Sequence, residues 1–133
     1  MKLIKYFLLM SVVLCLQGCP ERYSEEPDMA FTIKNMSSED IFFYANCEDS
    51  IVNIKDLPKG YLIYLEKNKD YKIDFWTELF KNDRKLNIII FRKSILDAHN
   101  WQEIQEKDLF EERYVLTLEE LKAMNYTIVY EGE

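Results

Sequence analysis

Apolar and polar residues alternate in short runs from Phe31 onward, and the runs rarely exceed eight residues. "AFTIKN" places Phe31 and Ile33 on one side, and "SSED" reads as a turn before the apolar "IFFYANC". "SIVNI" predicts another short strand, closed by "KDLPKG", where Pro58 and Gly60 mark a loop. "YLIYLE" and "DYKIDFW" follow, the second alternating Tyr71, Ile73 and Phe75 against Lys72 and Asp74, the period of a half-buried strand. "KNDRK" (81–85) is a polar loop. Ile88 to Phe91 are apolar without a break, which suits a central strand covered on both faces.

The last third mixes periods. "SILDAHN" reads as a turn leading into a helix. Asn100 stands three residues before Glu103, the spacing of a capping box, and predicts a short helix to about Lys107 with Trp101 and Ile104 on one face. "RYVLT" (113–117) alternates as a strand. Thr117 and Glu120 form a second capping box, with Leu118, Leu121 and Met124 as the apolar stripe and Asn125 able to close the helix in the left-handed region. "YTIVYE" predicts a last strand beside an earlier one. The expected fold is mainly β: a single β-sandwich-like domain of about seven strands with two short helices near its C-terminus. An α+β arrangement, one sheet with helices on one face, is the alternative.

The N-terminus has another texture. Lys2 and Lys5 precede an almost wholly apolar stretch, Tyr6 to Leu16, too short for the roughly 20 residues of a spanning helix. Such a cationic start and apolar middle describe a signal peptide. The junction Leu16-Gln17-Gly18-Cys19 resembles the lipobox of bacterial lipoproteins. That resemblance implies cleavage before Cys19, a diacylglyceryl thioether on its sulfur and usually acylation of the new amino terminus. Cys15 fits less well, because bulky Leu14 precedes it. The organisation expected is therefore a leader over 1–18, a lipidated Cys and acidic tether over 19–29, and a globular domain over 30–133. "PERYSEEPDM" holds two prolines and four acids with little to bury, as a tether should.

Size and charge narrow the function classes. Removing residues 1–18 from the 133 leaves 115, enough for one domain with a core. The leader takes two of the 17 basic residues and no acid, so 15 basic residues face 24 acidic ones and the charge moves from −7 to −9. That balance argues against nucleic acid, which is bound by neutralising phosphates. It also leaves membrane affinity to acyl chains, at about 0.8 kcal/mol per buried methylene. With Cys15 removed and Cys19 lipidated, Cys47 alone remains in the domain and is expected to be a small buried hydrophobe.

The closing stretch "RYVLTLEELKAMNYTIVYE", with "IIIFRKSILDAHNWQEI" before it, resembles the C-terminal part of small lipoproteins of Bacteroidota. The resemblance implies an outer-membrane address, on the periplasmic or the surface face, and lends no functional residues. The acids after Cys19 loosely resemble the export signal that carries some such lipoproteins to the cell surface.

Candidate chemistry is sparse. His99 is the single histidine, with Ser94 and Asp97 near it in sequence, and Cys47 is the other soft ligand, too few for a zinc site. Glu48-Asp49 lacks the alternation of an EF-hand, and Gly18, Gly60 and Gly132 make no phosphate loop. Glu119 and Glu120 suit the first turn of a helix. The full sequence has nineteen aromatic residues, from which Tyr64, Trp76 and Trp101 are the candidate partner-binding side chains. No cofactor is implied. The expectation is a lipid-anchored, non-enzymatic envelope lipoprotein that binds a protein or glycan partner. The alternatives are an immunity or inhibitor protein against a cationic toxin and a small carboxylate-based hydrolase.

Overall fold

A computed structural model describes residues 26–132, so Cys19, the stretch read as a leader and most of the stretch read as a tether lie outside the described residues. Seven strands form two sheets. β1 (Met29–Asn35), β4 (Asp70–Phe75) and β7 (Thr127–Tyr130) make one, in the order β4-β1-β7. β2 (Ile41–Glu48), β3 (Ile63–Leu65), β5 (Lys85–Arg92) and β6 (Glu112–Leu116) make the other, in the order β3-β2-β5-β6. All pairings are antiparallel except β1 with β7, where Ile33 stands beside Ile128. β1 opens at Met29, inside the segment read as tether. Asp28 is already fixed there, accepting hydrogen bonds from the Thr77 backbone N–H at 2.9 Å and the Thr77 hydroxyl at 2.7 Å.

The sheets face each other across one core. Phe31, Ile33, Phe75 and Ile128 meet Ile41, Phe43, Ile88, Ile90 and Leu116 in it. This is the expected sandwich, and the single-sheet alternative falls. The four-stranded sheet is also covered on its outer face. There Tyr44, Ile89 and Phe91 pack against Ile54, Leu57, Leu96 and Ile104. The alternation explains how one strand serves two cores. Ile88 and Ile90 turn inward and Ile89 and Phe91 outward, because successive side chains of a strand point to opposite faces. Ile88 to Phe91 are all fully buried, as the unbroken apolar run predicts.

The described residues hold three α-helices where two are expected: α1 (Lys93–Ala98), α2 (Trp101–Lys107) and α3 (Leu118–Ala123). The unexpected one, α1, lies where the sequence predicts a turn. Arg92 supplies no side-chain cap, and the Glu39 carboxylate does so from another loop, accepting from the Ser94 N–H at 3.1 Å and the Ser94 hydroxyl at 2.7 Å. The two expected caps are in place. Asn100 accepts from the Glu103 N–H at 2.8 Å, and Thr117 from the Glu120 N–H at 3.1 Å. Glu103, however, does not reach back to Asn100; its carboxylate holds Lys107 at 2.8 Å and His99 at 3.0 Å. Asn125 takes φ 52, the left-handed close that was expected, and Tyr126 shares it at φ 55.

"SIVNI" is not a strand. Its backbone groups find side chains instead of a neighbouring strand: the Val52 N–H donates to Asn87 Oδ1 at 3.1 Å, and the Val52 carbonyl accepts from Arg113 at 2.6 Å. The chain then turns through a 3-10 segment, Ile54–Asp56, capped by Asn53. Gln105 of α2 donates to the carbonyls of Ile54, Lys55 and Leu57, which clamps this segment over the second core.

Candidate binding surface

The three candidate aromatics do not assemble into one strip. Trp101 is half-buried in the second core, its ring 5.5 Å from that of Phe91 and its indole N–H donating to the Leu57 carbonyl at 3.0 Å. Both faces of its chemistry are thereby used within the fold. Trp76 belongs to the other sheet, half-buried at the end of β4, where its carbonyl accepts from the Leu79 N–H at 3.0 Å. Tyr64 is the exposed one, at 43%. It stands opposite Phe42 on β2, with rings 5.2 Å apart, and its hydroxyl donates to Asp40 Oδ2 at 2.6 Å. That hydrogen bond pushes the Tyr64 hydroxyl up to about 12 and holds Asp40 below the ordinary carboxylate range.

His99 and Cys47 are kept apart by the fold. Cys47 pairs with Leu86 near the start of β5, whereas His99 follows α1 beyond the end of that strand. Among the described residues no three His, Cys, Asp or Glu side chains gather as a metal site. The Cys47 thiol is pushed up to about 11, first by burial and then by the negative charge of Glu48. It is therefore a thiol at neutral pH and a weak nucleophile. Carboxylates do gather in a shallow depression lined by Glu39, Asp40, Lys67, Lys93 and Asp97. Each is tied to a local donor: Glu39 to Ser94, Asp40 to Tyr64 and the Lys67 N–H, Asp97 to Lys93 at 2.6 Å.

A different surface emerges where the two sheets meet at their margins. β3 pairs with only Ile41, Phe42 and Phe43, so β2 from Tyr44 to Glu48 has no strand on that side. The Cys47 N–H turns to the side chain of its neighbour, Asn46 Oδ1, at 3.0 Å. Across from it β4 is the edge of the three-stranded sheet. Between these margins lies a mainly apolar recess of about 120 Å³, with Ala45 and Cys47 on one wall, Ile73, Phe75 and Leu79 on the other, and Asp74 at the lining. Its floor is stiff, because Phe75 sits edge-on to Phe31 at 5.5 Å and to Phe80 at 5.7 Å.

The backbone of β4 can be read from its pairing. The Asn35 N–H donates to the Lys69 carbonyl, which puts the odd-numbered residues of β4 in hydrogen bonds with β1. The N–H and C=O groups of Asp70, Lys72 and Asp74 then point away from β1, since successive residues of a strand present these groups to opposite sides. The sequence displays the alternation of β4 but carries no mark that its outer side lacks a neighbour. The recess is hidden for a like reason: its walls come from segments some 30 residues apart in different sheets. Comparison with known protein families, with curated proteins and with solved structures finds no match to this chain.

Proposed function

We propose that this chain is a lipid-anchored, non-enzymatic module of the bacterial outer membrane that engages a protein partner along the open margin of β2 and β4. The observation that carries this reading is the pairing of a free strand edge with an apolar recess beside it. An extended protein segment uses both at once, its backbone completing the edge and a side chain filling the recess. A glycan reader needs its aromatic platforms exposed, whereas Trp101 and Trp76 are half-buried on different layers. A hydrolase needs convergent free carboxylates, whereas Glu39, Asp40 and Asp97 are each held by a neighbour. Asp28 ties the tether end to Thr77, two residues from Leu79 of the recess, so the margin lies close to where the tether meets the domain.

Two experiments test the reading. Mass spectrometry of the processed N-terminus should find an acylated Cys19, and Cys19→Ala should release the protein from the membrane fraction. For the margin, a photo-crosslinking residue at Asp70, an outward position of β4 with an exposed side chain, should yield a discrete adduct in native membranes, while one at Gln102 on the helical side should not. Equal labelling from both positions, or none from Asp70, refutes the margin as the contact surface.

A further inference from the structure

The β4 edge is complementary to itself. From Asp70 to Phe75 it reads Asp, Tyr, Lys, Ile, Asp, Phe, and its outward backbone groups belong to the even positions. A second copy laid antiparallel against it must bring even residues opposite even residues to form closely spaced hydrogen-bonded pairs. Centred on Ile73, this pairing sets Lys72 against Asp74 of the second copy and Asp74 against its Lys72. On the same face Lys72 Nζ already lies 3.9 Å from Asp74 Oδ1 within the strand, with side chains 71% and 63% exposed. The result is a square of alternating charges on the solvent side. On the core side Ile73 meets Ile73, flanked by Tyr71 opposite Phe75. Tyr71 is 38% exposed and stacks edge-on with Phe43 at 5.5 Å, so the pairing covers aromatic surface left open at the margin. The alternative register centred on Lys72 opposes two like charges at its centre and sets Asp70 against Asp74.

We infer that β4 pairs with β4 of a second copy of this chain in the register centred on Ile73, joining two three-stranded sheets into one six-stranded sheet across a two-fold axis. An isologous contact of this kind closes on itself and leaves no free β4 edge to propagate. It also answers the liability of an open edge strand, which otherwise invites unspecific pairing. The inference rests on the margin being an interaction surface and names the partner of that surface.

The test is a charge-swap series on the full processed chain, followed by sedimentation equilibrium in density-matched detergent. The wild type should show a monomer–dimer equilibrium. Lys72→Glu places Glu beside Asp74 on both sides of the axis, and Asp74→Lys places Lys beside Lys72; each should weaken dimerisation at least about tenfold. The double variant Lys72→Glu with Asp74→Lys restores every opposite pair and should recover dimerisation to near the wild-type level. All these side chains are exposed, so folding is unaffected. A second variant fixes the register: Ile73→Cys, in a Cys47→Ser background, should oxidise to a covalent dimer, because facing residues in a non-hydrogen-bonded pair lie about 4.5 Å apart at Cα, within disulfide reach. A monomeric wild type, or a double variant as weak as the single ones, overturns the self-pairing. The mass of the Asp70 adduct separates the two ideas. A homodimer mass supports both, a heterologous mass alone overturns the self-pairing while keeping the margin, and no adduct overturns the margin.

Discussion

Three buried polar side chains hold the turns of this sandwich. Asn35, fully buried, accepts from the Ser37 N–H at 3.1 Å and the Ser37 hydroxyl at 2.6 Å, and donates to the carbonyls of Glu39 and Leu65. It binds the end of β1 to the turn before β2 and to the end of β3. Asn35→Leu leaves those groups without partners, and should lower unfolding stability by about 2–4 kcal/mol, read as a shift in the urea midpoint. Asn87 performs a similar service for the Ser50–Val52 segment, which explains why two polar residues sit where the sequence pattern alone asks for apolar ones. At the surface the Tyr64–Asp40 bond gives a pH signature. Asp40 titrates below the ordinary carboxylate value when folded, so its contribution is present above the unfolded carboxylate range and is lost as pH falls through the folded value. Tyr64→Phe should move the Asp40 titration upward in a carboxylate-resolved NMR pH series; an unmoved titration counts against the bond. The Cys47 thiol, pushed up to about 11, should react slowly with a thiol reagent at neutral pH and faster as the pH rises toward that value.

At the scale of elements, the readable parts were those whose cause is local. The apolar run Ile88–Phe91, the caps at Asn100 and Thr117, and the left-handed Asn125 each carry their signal within a few residues. Thr117→Ala should cost about 1 kcal/mol through loss of the α3 cap, and Ile89→Ala about 2–5 kcal/mol through the cavity it leaves. Calorimetry of the two variants checks both, and the second should exceed the first. What escaped the sequence has a distant cause. α1 is capped by Glu39, across 55 residues, and "SIVNI" is held out of the sheets by Asn87 and Arg113. Glu39→Ala should therefore loosen α1, seen as faster amide exchange at Ser94 with α2 and α3 unchanged. The candidate aromatics stand apart for a related reason: composition counts rings, but Trp101 packs into the second core.

At the scale of the molecule, β1 has a singular position. Among the described residues it is the first strand in sequence and the centre of its sheet, yet one of its neighbours, β7, is the last. The parallel pairing runs from Thr32 beside Thr127 to Asn35 beside Tyr130, with the Thr32 N–H donating to the Tyr126 carbonyl at 2.8 Å. A chain synthesised from its N-terminus therefore presents β1 about a hundred residues before the strand that completes it. Until residues 127–130 arrive, one flank of β1 is bare and Ile33 lacks the cover of Ile128. Chains stopped short of Thr127 should be captured by holdase chaperones and cut by proteases at β1, while chains reaching Tyr130 should resist both. β7 thus acts as a latch: the domain can close only around a chain that extends through β7.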